Sequence, residues 1–540
     1  MSLELYRNGS IYSPADPFAT AMLVEDGTVA WLGSESAAGS MLDGRMAEID
    51  LQGALVTPAF VDSHVHLGSL GSKLSGLDLG GIRSADGLLS AIAAAAAADA
   101  TGILIGSGWD ETRFESSQLP TAEQLQAAAP DREIYLARID VHSALVSAKL
   151  AHRLGLTVGP DYNGSLVRGT AHTRVRDAVF IYDPATNAKH LDRALAHMAS
   201  TGHGTVVEMA AEHIGGREDL EAILCRDETT KATSPEVFAF WGELVSSREE
   251  ANSLLSSFNS ASLVGLGGDL NIDGSIGSRT ALLRADYTDA AGERGSSYLD
   301  AGQISAHVAA CSLAGIQASF HVIGDAGLDL ALEGFSKAVE SVGLAKVQAG
   351  RHRLEHVEMV DEAAREKMLA FAVTASMQPG FDAAWGGNDG LYQQRLGSSR
   401  AAAMNGVGQF LASGVPVVIG SDAPVTPVNP WATVKACLEL SDPRARISAR
   451  AAFMAHTRSG FRALGSANPL AGQLVNGAEA TFAVWDAAEL SVQTPDLRVS
   501  SWSTDARAGT PMLPVLEDAL PSCLRTVRAG NVLFDSMGQA

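Results

Sequence analysis

Two histidines one residue apart close the run Pro58-Ala59-Phe60-Val61-Asp62-Ser63-His64-Val65-His66. Its apolar lead-in predicts a strand. Side chains alternate on a strand, so His64 and His66 share one face roughly 6–7 Å apart. Imidazoles at that spacing can converge on one metal ion, whereas adjacent residues would point to opposite faces. A lone His-x-His pair also occurs on ordinary surfaces, and its place at the C-terminal end of an apolar run is what gives it chemical weight. Three later segments add ligand-type residues at similar ends. Residues 318–325 carry His321, Arg353-Leu354-Glu355-His356 ends on His356, and residues 417–424 set Asp422 just past an apolar run that Pro424 terminates. Taken singly, His321 reads equally well as a satisfied core histidine and Asp422 as a helix N-cap. Taken together, imidazoles and a carboxylate suit zinc first, with iron or manganese also accommodated, and an open position would hold a reactive water.

One competing motif uses the same residues. His352-Arg353-Leu354-Glu355-His356 matches H-x-x-E-H, a protease pattern that needs a helix to bring both histidines to one ion. Gly350 before it and Val357-Glu358-Met359-Val360 after it favour a strand, on which His352 and His356 stand about 13 Å apart. Gly265-Leu266-Gly267-Gly268 lacks the third glycine and following helix of a dinucleotide site, and the chain has no Gly-x-Ser-x-Gly elbow.

The elements that must position these residues are eight apolar, β-rich runs at 55–66, 204–209, 237–241, 263–273, 316–323, 352–356, 371–377 and 415–421, separated by helical stretches. That alternation predicts an α/β fold with a parallel sheet, and eight is the number a closed barrel needs. The gap after the first run is too long for one crossover helix, which predicts an inserted subdomain at about 70–200. Short strands with tight turns, such as Asp26-Gly27 and Gly530-Asn531, mark both ends of the chain and predict one small β domain built from the two.

With 540 residues, two to four domains are expected. Asp and Glu number 62 against 39 Lys and Arg, a formal net charge of −23. Such a surface repels phosphate backbones and anionic lipid, so a small-molecule substrate is expected rather than nucleic acid or membrane. Cys225, Cys311, Cys437 and Cys523 form no C-x-x-C pair, and no basic head precedes an apolar run at the N-terminus. A reducing, cytoplasmic setting fits both. A homo-oligomer is compatible with the sequence.

The run 57–66 resembles the first-strand signature of the amidohydrolase superfamily. The segments His321-Val322-Ile323-Gly324-Asp325, Arg353–His356, Gln378-Pro379, Gly420-Ser421-Asp422-Ala423-Pro424, Gly108-Trp109-Asp110, Asp140-Val141-His142 and 273–281 resemble its branch of N-substituted formamide deformylases. The resemblance spans about 3–534. It implies a (β/α)8 TIM-like barrel at 58–464, with a composite β-sandwich of residues 1–57 and 465–540. It also implies a divalent metal on His64, His66, His321, His356 and Asp422. One position departs: many members carry, four residues before the Asp-Gly of the fourth strand, a lysine whose carboxylated side chain can bridge two metals, and here Asp269 stands there. Aspartate is several bonds shorter, so either one ion binds or another carboxylate bridges, Glu208 being the candidate. Its other reading is a structural ion pair.

The expected chemistry is hydrolysis of a small amide, an N-substituted formamide first. Asp422 would serve as base and then acid, with His142 or Arg279 stabilising the oxyanion. Trp109, Trp385 and Trp431 are candidates for an apolar substrate pocket. A deaminase or cyclic amidase on a heterocyclic substrate would use the same ligands. A non-catalytic metal-binding regulatory protein of the same fold is the alternative from another class, and Asp269 is the feature favouring it.

Overall fold

The eight runs form one parallel sheet in chain order: β1 (Phe60–Val65), β2 (His203–Ala211), β3 (Glu236–Gly242), β4 (Leu263–Leu266), β5 (Gln317–Val322), β6 (Arg353–His356), β7 (Thr374–Met377) and β8 (Val417–Ile419). This is the arrangement in the computed structural model, which describes residues 2–98, 102–116, 118–180, 182–493, 502–503 and 510–537. The last strand returns to the first: Asp422 N donates to His64 O (2.8 Å) and His66 N to Ala423 O (2.9 Å). The sheet is thus a nearly closed TIM-like barrel, as the alternation predicts. Every residue of β1, β2 and β5 to β8 is buried, because helices cover the outside while side chains fill the inside.

The N-terminal end of the barrel is plugged by aromatics. Phe60 meets Trp431, Phe453 and Trp485 edge-on with ring centroids 5.1, 5.3 and 5.7 Å apart. Trp485 comes from a terminal sheet, and its Nε1 donates to Thr57 Oγ1 (2.9 Å). That five-stranded sheet pairs Ser10–Ile11, Leu55–Pro58, Phe482–Asp486, Ser522–Arg528 and Asn531–Asp535. A four-stranded sheet from the first fifty residues packs on it through Tyr6, Met22, Val24, Val56, Phe482 and Val527. The hairpin at Asp26-Gly27 has both central residues at positive φ (46° and 76°), as a two-residue turn between twisted strands requires. The second turn falls on Ala529-Gly530, one residue before the position expected, since Arg528 pairs with Asn531. Residues 494–501 and 504–509, inside the expected terminal β domain, lie outside the described residues.

Between β1 and β2 a separate five-stranded sheet runs through Leu77–Asp78, Leu104–Trp109, Ile134–Arg138, Ser143–Val146 and Leu166–Arg168. It has its own core of Leu79, Trp109, Leu125, Leu136 and Leu145. Trp109 is consumed in that core, with its Nε1 donating to Leu136 O (2.8 Å), and Trp431 is buried in the barrel plug. Neither lines the two cavities at the barrel mouth, whereas Trp385 lines one of them. The insert is fastened over the barrel mouth through Asp140, whose Oδ2 accepts from Ser275 Oγ (3.0 Å) and Ser278 Oγ (2.9 Å) and pairs with Arg138 Nη1 (3.1 Å). No helix among the described residues is long and apolar enough to cross a membrane.

Candidate metal centre

Strand ends β1, β5, β6 and β8 deliver His64, His66, His321, His356 and Asp422 to one buried spot at the mouth of the barrel. His66 Nε2 lies 3.1 Å from Asp422 Oδ1, and His64 Nε2 lies 3.4 Å from it. The rings of His64 and His356 are 5.0 Å apart, and those of His321 and His356 4.4 Å.

A sixth residue joins them. Asp269 Oδ2 is 3.1 Å from His66 Nε2. Its Oδ1 is 3.6 Å from His64 Nε2, 3.6 Å from His321 Nδ1 and 3.9 Å from His356 Nε2. The expectation that an aspartate here is too short considered side-chain length alone. Strand β4 ends at Leu266, earlier than expected, and Gly267 (φ 124°) and Gly268 (φ 80°) carry the backbone inward. A Cβ on Gly267 would sit 1.9 Å from Ser319 O, so the chain comes that close only because glycine is there.

Each ring is held by a bond on its outer nitrogen. His64 Nδ1 donates to Glu355 Oε2 (2.9 Å), His66 Nδ1 to Met209 O (2.9 Å), and His356 Nδ1 to Gln378 Oε1 (2.8 Å). His321 Nε2 donates to Gly274 O (3.3 Å). The opposite nitrogens therefore present lone pairs inward, the pattern by which carboxylates and carbonyls orient metal-binding imidazoles. Glu355 is locked in turn by Arg353 (Nε 2.6 Å, Nη2 2.9 Å) and Ser319 Oγ. Burial opposes its charge, but the Arg353 guanidinium and His64 hold its carboxyl well below the usual range.

The donor set fits a cation. His64 Nε2, His356 Nε2, Asp269 Oδ1 and Asp422 Oδ1 are all buried without a hydrogen-bond partner, and all belong to this cluster. Such atoms are costly unless something positive sits among them. Burial opposes a charged His64, yet Asp422 and Asp269 outweigh it and pull its pKa up to about 10. Three ligand triads are close enough to hold an ion: His64–His66–Asp269, His64–His356–Asp422 and Asp269–His321–His356.

Other expected residues stand elsewhere. Glu208 belongs to none of these triads; its Oε2 accepts from Leu67 N (2.7 Å) at the start of the helix Leu67–Ser75. Arg279 is committed to Asp289 by two bonds (3.0 and 2.7 Å) and lines neither cavity at the cluster. Its neighbours Ser275, Ile276 and Gly277 do line the smaller cavity, and Asp273 before them accepts from Ile323, Gly324 and Leu282 N. His142 does face the cluster, its ring 5.3 Å from that of His321. Burial first, then His321, pushes its pKa down to about 4, leaving a neutral imidazole.

Two cavities open from the cluster, and His142 borders both. One, about 330 Å³, runs beneath the insert between Ile105, Tyr135, Val141, Phe180 and Asp269. The other, about 30 Å³, lies beside His321 and His356 and is closed by Phe381, Trp385, Tyr392 and Val425.

The barrel thus carries at its mouth a buried cluster of histidines and aspartates able to hold a divalent metal ion. Residues 47–534 match the sequence profile of the Amidohydrolase family, and the chain belongs to that family. Protein LONG AFTER FAR-RED 3 of Arabidopsis thaliana is 28% identical over 527 residues, covering 89% of this chain and 88% of its own. An uncharacterized metal-dependent hydrolase from Pyrococcus furiosus is 25% identical with a TM-score of 0.67, covering 89% of this chain and 98% of its own. One from Pyrococcus horikoshii OT3, 24% identical at a TM-score of 0.69 and covering 90% and 97%, shares the fold.

Proposed function

We propose that the chain hydrolyses the C–N bond of a small N-substituted formamide with divalent metal, zinc first, that His64, His66, His321, His356, Asp422 and Asp269 would hold. The observation carrying this reading is the set of four buried, partnerless ligand atoms around one point. His64, His66 and Asp422 would hold one ion and His321 and His356 a second, with the Asp269 carboxylate within reach of both sets. When bound, the ions supply Lewis acidity, making water nucleophilic at neutral pH and polarising the scissile carbonyl.

The protein's own groups do the rest. The Asp422 carboxylate takes the proton of the attacking water and hands it to the amine nitrogen, base and then acid. The water oxygen joins the formyl carbon, the C–N bond breaks, and formate and an amine leave. The neutral His142, one of the two alternative donors expected from the sequence, donates to the carbonyl oxygen as charge develops there. The small cavity beside His321 and His356 supports a small acyl group. The 330 Å³ cavity supports an apolar N-substituent. Asp269, which favoured a non-catalytic regulatory protein when judged too short, argues instead for a working site once its carboxylate lies among the histidines.

Metal quantification on the purified protein, with formate release from N-(2-phenylethyl)formamide and ammonia release from cytosine and guanine, tests the reading. Expected are metal in the protein, formate from the amide, and a loss of roughly 10³-fold or more in Asp422→Asn. A metal-replete protein that releases ammonia but no formate would be a deaminase, and the formamide reading would fall.

A further inference from the structure

The larger of these two cavities holds a cation whose guanidinium has no hydrogen-bonded partner among the described residues. Arg176, on the helix Gly169–Val179, lines it and makes no hydrogen bond or ion pair among the described residues. The only other permanent cation on this wall, Lys73, has its Nζ donating to Pro424 O (2.9 Å). The histidines alongside, His142, His172 and His213, are kept neutral by burial first, and the charge of Arg176 adds to the effect. The only carboxylate lining this cavity is Asp269, in the ligand cluster. Arg176 also borders a second cavity carrying Asp177, Glu208, Glu212, Glu218 and Asp219; its charge partly offsets the upward push of burial on the Asp177 carboxyl, but no hydrogen bond or close ion pair joins it to any of them among the described residues.

A chain of net charge −23 therefore keeps a guanidinium free on the wall of a largely apolar pocket that ends at the metal ligands. Guanidinium presents a planar fork that matches a carboxylate through two parallel bonds. The geometry points to a substrate whose N-substituent carries both an apolar side chain and a carboxylate, an N-formyl amino acid, with Arg176 gripping the carboxylate. The inference rests on the deformylase reading for its reaction: water adds to the formyl carbon, the C–N bond breaks, and formate and the free amino acid are released.

The test compares N-formyl-DL-phenylalanine with N-(2-phenylethyl)formamide, which differ only in the carboxylate, for the wild type, Arg176→Lys and Arg176→Met. The wild type is expected to favour the acid in kcat/KM by about 10- to 100-fold, the worth of a charge-assisted contact. Arg176→Met should reduce that ratio at least tenfold, mainly through KM, and Arg176→Lys should retain part of it. A wild type that prefers the neutral formamide, or an Arg176→Met variant with an unchanged ratio, overturns the proposal.

A binding arm separates this outcome from failure of the deformylase reading. Calorimetry of 3-phenylpropanoate against 3-phenylpropanamide on the metal-loaded protein needs no turnover. Preference for the acid that vanishes in Arg176→Met, with no formate from either formamide, removes the reaction and keeps the carboxylate site. Formate release without any acid preference does the reverse.

Discussion

Removing the charge of Glu355 should damage the protein in two separable ways. Its carboxylate is fully buried and accepts from Arg353 Nε and Nη2, Ser319 Oγ and His64 Nδ1. Glu355→Gln keeps the shape but leaves the Arg353 guanidinium, itself 1% exposed, without its counter-charge. Breaking one side of a buried pair costs about 3–5 kcal/mol. An unfolding entropy near 2.1 cal/mol/K per residue gives roughly 1.1 kcal/mol/K for 540 residues, so the thermal midpoint should fall by about 3–4 °C. Independently, His64 loses the group that fixes its tautomer, which should weaken metal affinity by about 10- to 100-fold. The double variant Arg353→Met/Glu355→Leu separates the effects: it should recover most of the lost midpoint, because no charge is stranded, while metal binding stays weak. Calorimetry and competition with a chromogenic chelator measure the two quantities. If Glu355→Gln binds metal like the wild type, or the double variant recovers affinity along with stability, the reasoning fails.

Stripping metal with dipicolinate should lower the thermal midpoint by about 4 °C if the loading is 1,000 times the Kd, and re-addition should restore it; an unchanged midpoint would mean that no ion sits in the cluster. Asp269→Asn should reduce bound metal from two ions to one by elemental analysis and cut turnover at least about 100-fold; full occupancy would remove Asp269 as the bridge. Gly267→Ala, at φ 124° with its new Cβ 1.9 Å from Ser319 O, should destabilise by at least ~3 kcal/mol in a denaturant titration, and a near-neutral result would contradict the close approach. His352 and His307 are buried and neutral. Burial, then His307, lowers His352 to about 3, and burial lowers His307 to about 4. These values lie below the unfolded value of about 6.5, so the stability the two histidines contribute is complete above that pH and is lost as pH falls toward 4 and 3. His352→Gln should flatten the decline in midpoint between pH 7.5 and 4, and an identical slope would refute the assignment.

The barrel was legible because burial on both faces writes each strand as an apolar run, and because side-chain alternation puts His64 and His66 together. The five original ligands were legible as strand-end residues. Asp269 was not, since its reach comes from backbone geometry at two glycines rather than from its side chain; the pair Gly267-Gly268 immediately before it was the available signal. Arg279 pairs with Asp289 while its motif neighbours Ser275 to Gly277 line the smaller cavity, because a motif says which residues travel together and not where each side chain ends. Glu208 and Trp109 looked functional for the same reason: buried polar and aromatic groups read alike in sequence whether they cap a helix, fill a core or face a substrate. The free guanidinium of Arg176 had no local signature at all, because having no partner is a property of the folded neighbourhood.

The strand Leu55–Pro58 leads directly into β1 and pairs along its length with Phe482–Asp486, more than 400 residues later. Assembly of the histidine pair is thereby tied to a segment made late in synthesis. A nascent chain would emerge with its ligands exposed and would secure them only when that distant segment arrives. A shortened product missing residues 482–535 would lack the strand partner that supports the lead-in to His64 and His66.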